Sequence, residues 1–256
     1  MSRTLHRSFL TRPIAHRGLH DVQKGRPENS LSAFRAAVEA GYGIELDVQL
    51  TADNEAVVFH DYDLSRLTEA TGAVRQQSLA QMQALPLRHG AGEAAPSLGA
   101  VLDMVNAKVP VLVELKDQDG GMGPKVGPLE VAVAKALQRY GGAVAVMSFN
   151  PHSMIAMSRR APRIVRGLVT EAYAPEDWPL PAATCDRLRE IPDFEAVGAA
   201  FISHQAEDLD RPRVAQIKAR RVPVLCWTIR SEEEEARARR VADNVTFEGY
   251  LPGLGT

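Results

Sequence analysis

Ile44-Glu45-Leu46-Asp47-Val48 alternates apolar and acidic residues, and Val109-Pro110-Val111-Leu112-Val113-Glu114-Leu115-Lys116 is an apolar run that turns charged only at its end. Residues two apart in a strand point the same way, so Glu45 and Asp47 share one face, as do Glu114 and Lys116. Working outward, β-like runs recur at residues 13–16, 56–60, 143–149, 164–169, 199–203, 222–229 and 243–247. Between them lie amphipathic stretches of helical length. Ser30 caps one that carries Leu31, Phe34 and Val38 on one side, and Gly41 stops it. Ser231 and Glu234 form a capping box for a helix near the end, whose Glu233–Arg237 and Glu235–Arg239 pairs read as a solvated face.

Strands alternating with helices imply a parallel sheet covered by helices, an α/β protein. Eight or so such units in 256 residues fit a closed (β/α)8 barrel, a TIM barrel, within a single domain over residues 1–256. An open doubly wound sheet is the competitor, and the lack of a G-x-G-x-x-G after the first strand weakens its dinucleotide-binding form. Two segments break the repeat. Residues 61–96 are long and polar and read as an excursion over one end of the barrel. Residues 117–128 are glycine-rich and read as a mobile loop. Asp117, Asp119 and Gly120 start like a calcium loop whose closing glutamate is missing, and Gly121, Gly123 and Lys125 like a phosphate loop without its Lys-Ser/Thr pair.

The balance of charge excludes some functions. Net charge is -2 with both signs dispersed, so the clustered basic footprint of a nucleic-acid binder is absent. Two cysteines, Cys185 and Cys226, specify no disulfide framework, and Cys226 reads as a small buried hydrophobe. No stretch has the roughly 20 apolar residues of a membrane span, and residues 1–12 lack a signal peptide's apolar core, so the expected compartment is the cytoplasm, without integral membrane association. Aromatics make up only 5% of the chain, which argues against a large apolar groove.

Ionisable residues interrupt the apolar runs at their ends: His16 and Arg17, Glu45 and Asp47, His60, Glu114 and Lys116. Buried charges cost several kcal/mol each unless paired or metal-bound, so four strands carrying them at one end point to one site. Three carboxylates are hard oxygen ligands and suit Mg²⁺ or Ca²⁺ better than Zn²⁺. The structural alternative is that Glu45 or Glu114 merely pairs with Arg17 or Lys116. Two histidines beside the carboxylates read as an acid–base pair, and Arg17 and Lys116 supply the positive charge a phosphate needs. His204 reads as a surface histidine, with a second reading in which it reaches the site.

The order of these pieces resembles the glycerophosphodiester phosphodiesterase family. The pieces are His16-Arg17-Gly18, Pro27-Glu28-Asn29-Ser30 with Ala33-Phe34, Ile44 to Val48, Val57-Val58-Phe59-His60-Asp61 with Leu67-Thr68 and Gly72, and Val113 to Lys116, with weaker matches at Ser148-Phe149 and Trp227-Thr228. The resemblance implies a TIM barrel with a small insertion after its second strand, for which residues 61–96 are the candidate. It implies one divalent cation held by Glu45, Asp47 and Glu114, acid–base catalysis by His16 and His60, and phosphate binding by Arg17 and Lys116. Glu28 and Asn29 would support the site, and Phe149 and Trp227 would line the substrate groove or pack in the core. The implied reaction is hydrolysis of a small-molecule glycerophosphodiester to glycerol 3-phosphate and an alcohol. A lysophospholipid or sugar phosphodiester would suit the same site. A non-catalytic barrel would have shed a histidine or a carboxylate, and an aldolase-like barrel leaves the histidines idle. The sequence departs from the family's closing Thr-Asp-x-Pro: Thr246 is followed by Phe247-Glu248-Gly249-Tyr250, a change expected to bear on substrate preference. Either the last barrel unit is abbreviated or N-terminal residues cover its gap.

Overall fold

Gly43–Leu50 (β2) is buried along its whole length, as a strand covered on both faces must be. Ile44, Leu46 and Val48 pack into the large apolar layer under the helices, while Glu45 and Asp47 turn inward to a central cavity. The computed structural model describes residues 4–254, so residues 1–3 of the N-terminal reading and Thr256 lie outside it. β2 runs parallel to Ile14–Ala15 (β1) on one side and to Val111–Leu115 (β4) on the other. Val144–Ser148 (β5), Val165–Thr170 (β6), Ile202–Gln205 (β7), Val224–Ile229 (β8) and Asn244–Phe247 (β9) follow in order, each parallel to the one before. β9 returns to β1, with Ala15 against Phe247. The parallel strands therefore close on themselves with helices between them, and an open sheet is excluded.

Ala56–Val58 (β3) departs from the expected pattern. It is a strand, but antiparallel to β2, with Val48 opposite Val58 and Leu50 opposite Ala56. Residues 51–55 are too few for the crossover a parallel pair needs. His60 is thus delivered by a strand folding back beside β2, not by a barrel strand. From β3 the chain makes its excursion, which gathers a small core of its own around Val57, Phe59, Leu64, Val74 and Met82. It re-enters through the helix Leu98–Val105, capped by Ser97.

The helix Leu31–Ala40 begins where Ser30 Oγ accepts the Ala33 N–H and ends on Gly41 at φ 82°. The lower barrel interior is filled by Ile14, Leu112, Ala145, Val169, Phe201 and Leu225 and closed beneath by Leu5 and Phe9. Asn244 Nδ2 secures that plug, donating to the carbonyls of Phe9 and Arg12. Among the described residues no helix follows β9. Tyr42 OH donates to the Pro252 carbonyl at 2.7 Å, and Tyr250 packs edge-on against Phe247. Within the described residues the segment after β9 packs on Tyr42 and Phe247, and the N-terminal turn covers the opposite end of the barrel interior.

Candidate active site

The strand ends bring the expected residues together. His16, Arg17, Glu45, Asp47, His60, Glu114, Lys116, Phe149 and Trp227 all line one cavity of 180 Å³ at the C-terminal mouth. The turn after β1 makes this possible. Arg17 and Gly18 adopt left-handed backbone, φ 54° and 81°, and a Cβ on Gly18 would lie 2.9 Å from Phe34 and 3.0 Å from Ala33. Only glycine fits there. The turn aims the Arg17 N–H at Glu45 Oε2, 3.0 Å away, while its guanidinium donates to Glu28 at 2.8 Å and lies 3.5 Å from Asp47. Asn29 holds Asp47 from both ends: Nδ2 donates to Oδ2 at 2.9 Å and Oδ1 accepts the Asp47 N–H at 3.3 Å.

Oxygens of Glu45, Asp47 and Glu114 lie within 4.8 Å of one another, all three residues buried. Burial, then the neighbouring Asp47 and Glu114 charges, push the Glu45 carboxyl well above its ordinary range. Burial pushes Asp47 the same way, but Lys116, His60 and Arg17 outweigh it and hold Asp47 low. Lys116 Nζ donates to Glu114 at 2.8 Å and lies 3.4 Å from Asp47. Burial disfavours that ammonium, yet Glu114 and Asp47 keep its pKa raised. The Glu114–Lys116 pair weighed from the sequence thus exists, but one ammonium and one guanidinium leave Glu45 under-compensated. An all-oxygen donor set with surplus negative charge fits a hard divalent cation.

Each histidine is tied to a carboxylate. His16 Nδ1 lies 2.7 Å from Glu248 Oε2, His20 Nε2 stands 3.6 Å from the same oxygen, and Arg230 holds the other oxygen at 2.8 Å. The hydrogen bond with His16, with His20 and Arg230 close by, holds Glu248 far below the usual carboxylate range. The acceptor is therefore ionised, and Nδ1 of His16 carries the hydrogen. Burial lowers the His16 pKa, with the Glu248 bond opposing it. His60 Nδ1 lies 2.6 Å from Asp61 Oδ1. Arg66 clasps Asp61 and Glu28 together, joining the supports of His60 and Arg17.

Glu248 escaped the sequence reading because its partner lies 232 residues away; its only signal was the break with the Thr-Asp-x-Pro ending. Ser203 and Thr246 were missed too. Both belong to the cavity wall, and their buried hydroxyls have no hydrogen-bond partner among the described residues. His204 is neither at the surface nor at the site. It is fully buried on the outer side of β7, bonded to Thr170 Oγ1 at 2.8 Å and to Asp208. Residues 117–128 are likewise better organised than expected. Asp117 accepts the N–H groups of Asp119, Gly120 and Met122, and Asp119 those of Gly121, Gly123 and Lys125. Phe149 and Trp227 line the cavity and pack together with ring centroids 5.7 Å apart.

A sequence profile described as the glycerophosphoryl diester phosphodiesterase family matches residues 16–244. The chain is 35% identical over 175 residues to the glycerophosphodiester phosphodiesterase of Caldanaerobacter subterraneus subsp. tengcongensis, 64% of this chain and 69% of that one. It is 27% identical over 243 residues to a glycerophosphodiester phosphodiesterase of Bacillus subtilis, covering 88% and 78% respectively. A solved structure of an Oleispira antarctica phosphodiesterase in complex with the product sn-glycerol-3-phosphate matches with a TM-score of 0.77 at 26% identity, over 94% of both chains.

Proposed function

The chain belongs to the glycerophosphoryl diester phosphodiesterase family, and on that premise we propose a metal-assisted acid–base route for its hydrolysis of glycerophosphodiesters to glycerol 3-phosphate and an alcohol. The observation that carries the route is the pair of histidine–carboxylate couples beside the buried acidic triad. Glu45, Asp47 and Glu114 would hold one Mg²⁺ or Ca²⁺, which when bound supplies positive charge to a phosphate oxygen. Arg17 and Lys116 orient the phosphate through charged hydrogen bonds. With Nδ1 committed to Glu248 or Asp61, each imidazole offers Nε2 for proton transfer. One histidine takes the proton of the glycerol 2-hydroxyl, whose oxygen attacks phosphorus. The other protonates the departing alcohol, and water then opens the cyclic phosphate. Product release as glycerol 3-phosphate would serve lipid and glycerol metabolism in the cytoplasm. No described helix is long and apolar enough to cross a membrane.

The test follows glycerol 3-phosphate release from a panel of glycerophosphodiesters with Mg²⁺, Ca²⁺ or chelator. Turnover that chelator abolishes and either ion restores is expected. Chelator-insensitive turnover removes the metal, and rapid turnover of a diester lacking the neighbouring hydroxyl removes the cyclic route.

A further inference from the structure

A second hollow of 420 Å³ adjoins the cavity of the reacting groups. His60, Glu114, Lys116 and Phe149 are walls of both. Beyond that shared wall the chemistry diverges. The smaller side carries Arg17, Arg230, Ser203 and Thr246, the larger side Tyr62, Met122 and Trp178. The first is polar and ionic, with Glu45 and Asp47 also in its wall; the second presents aromatic and thioether groups, with Asp61, Asp63 and Asp117 at its edge.

The apolar side is built and held. Phe149 stands with its ring centroid 5.3 Å from that of Trp178, and Tyr173 backs Trp178 at 5.4 Å. The Trp178 indole N–H is anchored on Glu171. Met122 sits at φ 57°, a costly conformation for a bulky residue, with its N–H on Asp117 Oδ2 at 3.0 Å. Asp117 is itself fixed by Asn150 Nδ2 at 2.8 Å. Tyr62 keeps 54% of its surface in solvent at the mouth of the site. The acidic residues at the rim are already engaged. Arg66 neutralises Asp61, Asp63 accepts the N–H groups of Ser65 and Gly72, and Asp117 holds its own loop. Asp63 and Asp117 keep their charge, but their oxygens already accept backbone N–H groups of their own loops.

We propose that the diester lies across the shared wall with its phosphate at His60 and Lys116. Its glycerol enters the polar cavity, and its alcohol lies on the Tyr62–Met122–Trp178 surface. The enzyme therefore prefers diesters of apolar alcohols. This orientation rests on the phosphodiesterase reading above. A buried methylene is worth about fourfold in affinity, and a hollow open on one side realises part of that.

The test measures kcat/KM for glycerophosphoethanol, glycerophosphobutanol and glycerophosphohexanol, then for glycerophosphocholine beside its uncharged 3,3-dimethylbutyl isostere. We expect kcat/KM to rise about two- to fourfold per added methylene, mainly through KM, and the isostere to outrun the choline ester. Tyr62→Ser, at an exposed position, and Trp178→Leu should each flatten the chain-length slope. A flat slope in the unaltered enzyme with the ethyl ester turned over overturns the groove and spares the phosphodiesterase. A preference for choline over its isostere overturns the apolar assignment in favour of a cation site. No turnover of any diester removes both readings.

Discussion

Glu248→Gln tests how far the activity depends on the carboxylate bonded to His16. The side chain keeps its size and loses its charge. In the native site its oxygen lies 2.7 Å from His16 Nδ1, a distance typical of a charge-assisted bond. Such a bond is worth about 1.5–3 kcal/mol and a neutral one about 0.5–1.5. The difference of about 1–2 kcal/mol corresponds to about a five- to thirtyfold loss of kcat/KM. Glu248→Ala, which frees the imidazole to rotate, should lose about 10²-fold or more. Burial lowers the His16 pKa and the Glu248 bond is the first influence opposing it. Removing that bond moves the His16 limb of the pH–rate profile to lower pH. The assay is glycerol 3-phosphate release at saturating metal across the pH range, with a thermal melt as control for folding. A loss below twofold in both variants, with an unmoved profile, would refute the coupling of His16 to Glu248.

Two further outcomes test the fold. Gly167→Ala would set a Cβ 2.6 Å from the ring of Phe201, which is fully buried and has nowhere to go; a loss of about 1–3 kcal/mol is expected from the urea midpoint, and an unchanged midpoint would contradict the packed lower barrel. His204 has its pKa lowered by burial, with Asp208 opposing. The unfolded chain therefore takes up that proton first as pH falls, so this residue's contribution is present above about pH 6.5 and declines below it. His204→Gln should flatten the fall in stability between about pH 7.5 and about pH 5.5, and an unaltered slope would show that other groups carry it.

The barrel and the acidic half of the site were legible in sequence because both rest on local periodicity. Glu45 and Asp47, then Glu114 and Lys116, break apolar runs at a spacing of two, and two-residue spacing fixes facing without knowledge of the partner strand. His60 came out at the right place for an incomplete reason. Its apolar run forms a strand, but the direction of β3 depends on the short connection before it and not on the run itself. The aromatic count carried no information about placement. Composition averages over the chain, whereas Phe149, Tyr173, Trp178 and Trp227 converge on one side of the mouth. His204 looked polar and hence peripheral, but Thr170 and Asp208 satisfy it inside the wall. Asp208 lies only four residues on, but Thr170 comes from the neighbouring strand 34 residues back, beyond any local window.

The closure of β1 onto β9 also sets a clock on the protein's birth. His16 emerges early in synthesis, and the carboxylate that orients it emerges 232 residues later. Long-range pairing of this kind forms late and waits for both ends of the chain. A nascent barrel can therefore assemble its acidic triad while its histidine still lacks an orienting partner. On the acid–base proposal, the partner that orients His16 is made only once the chain has passed the final strand.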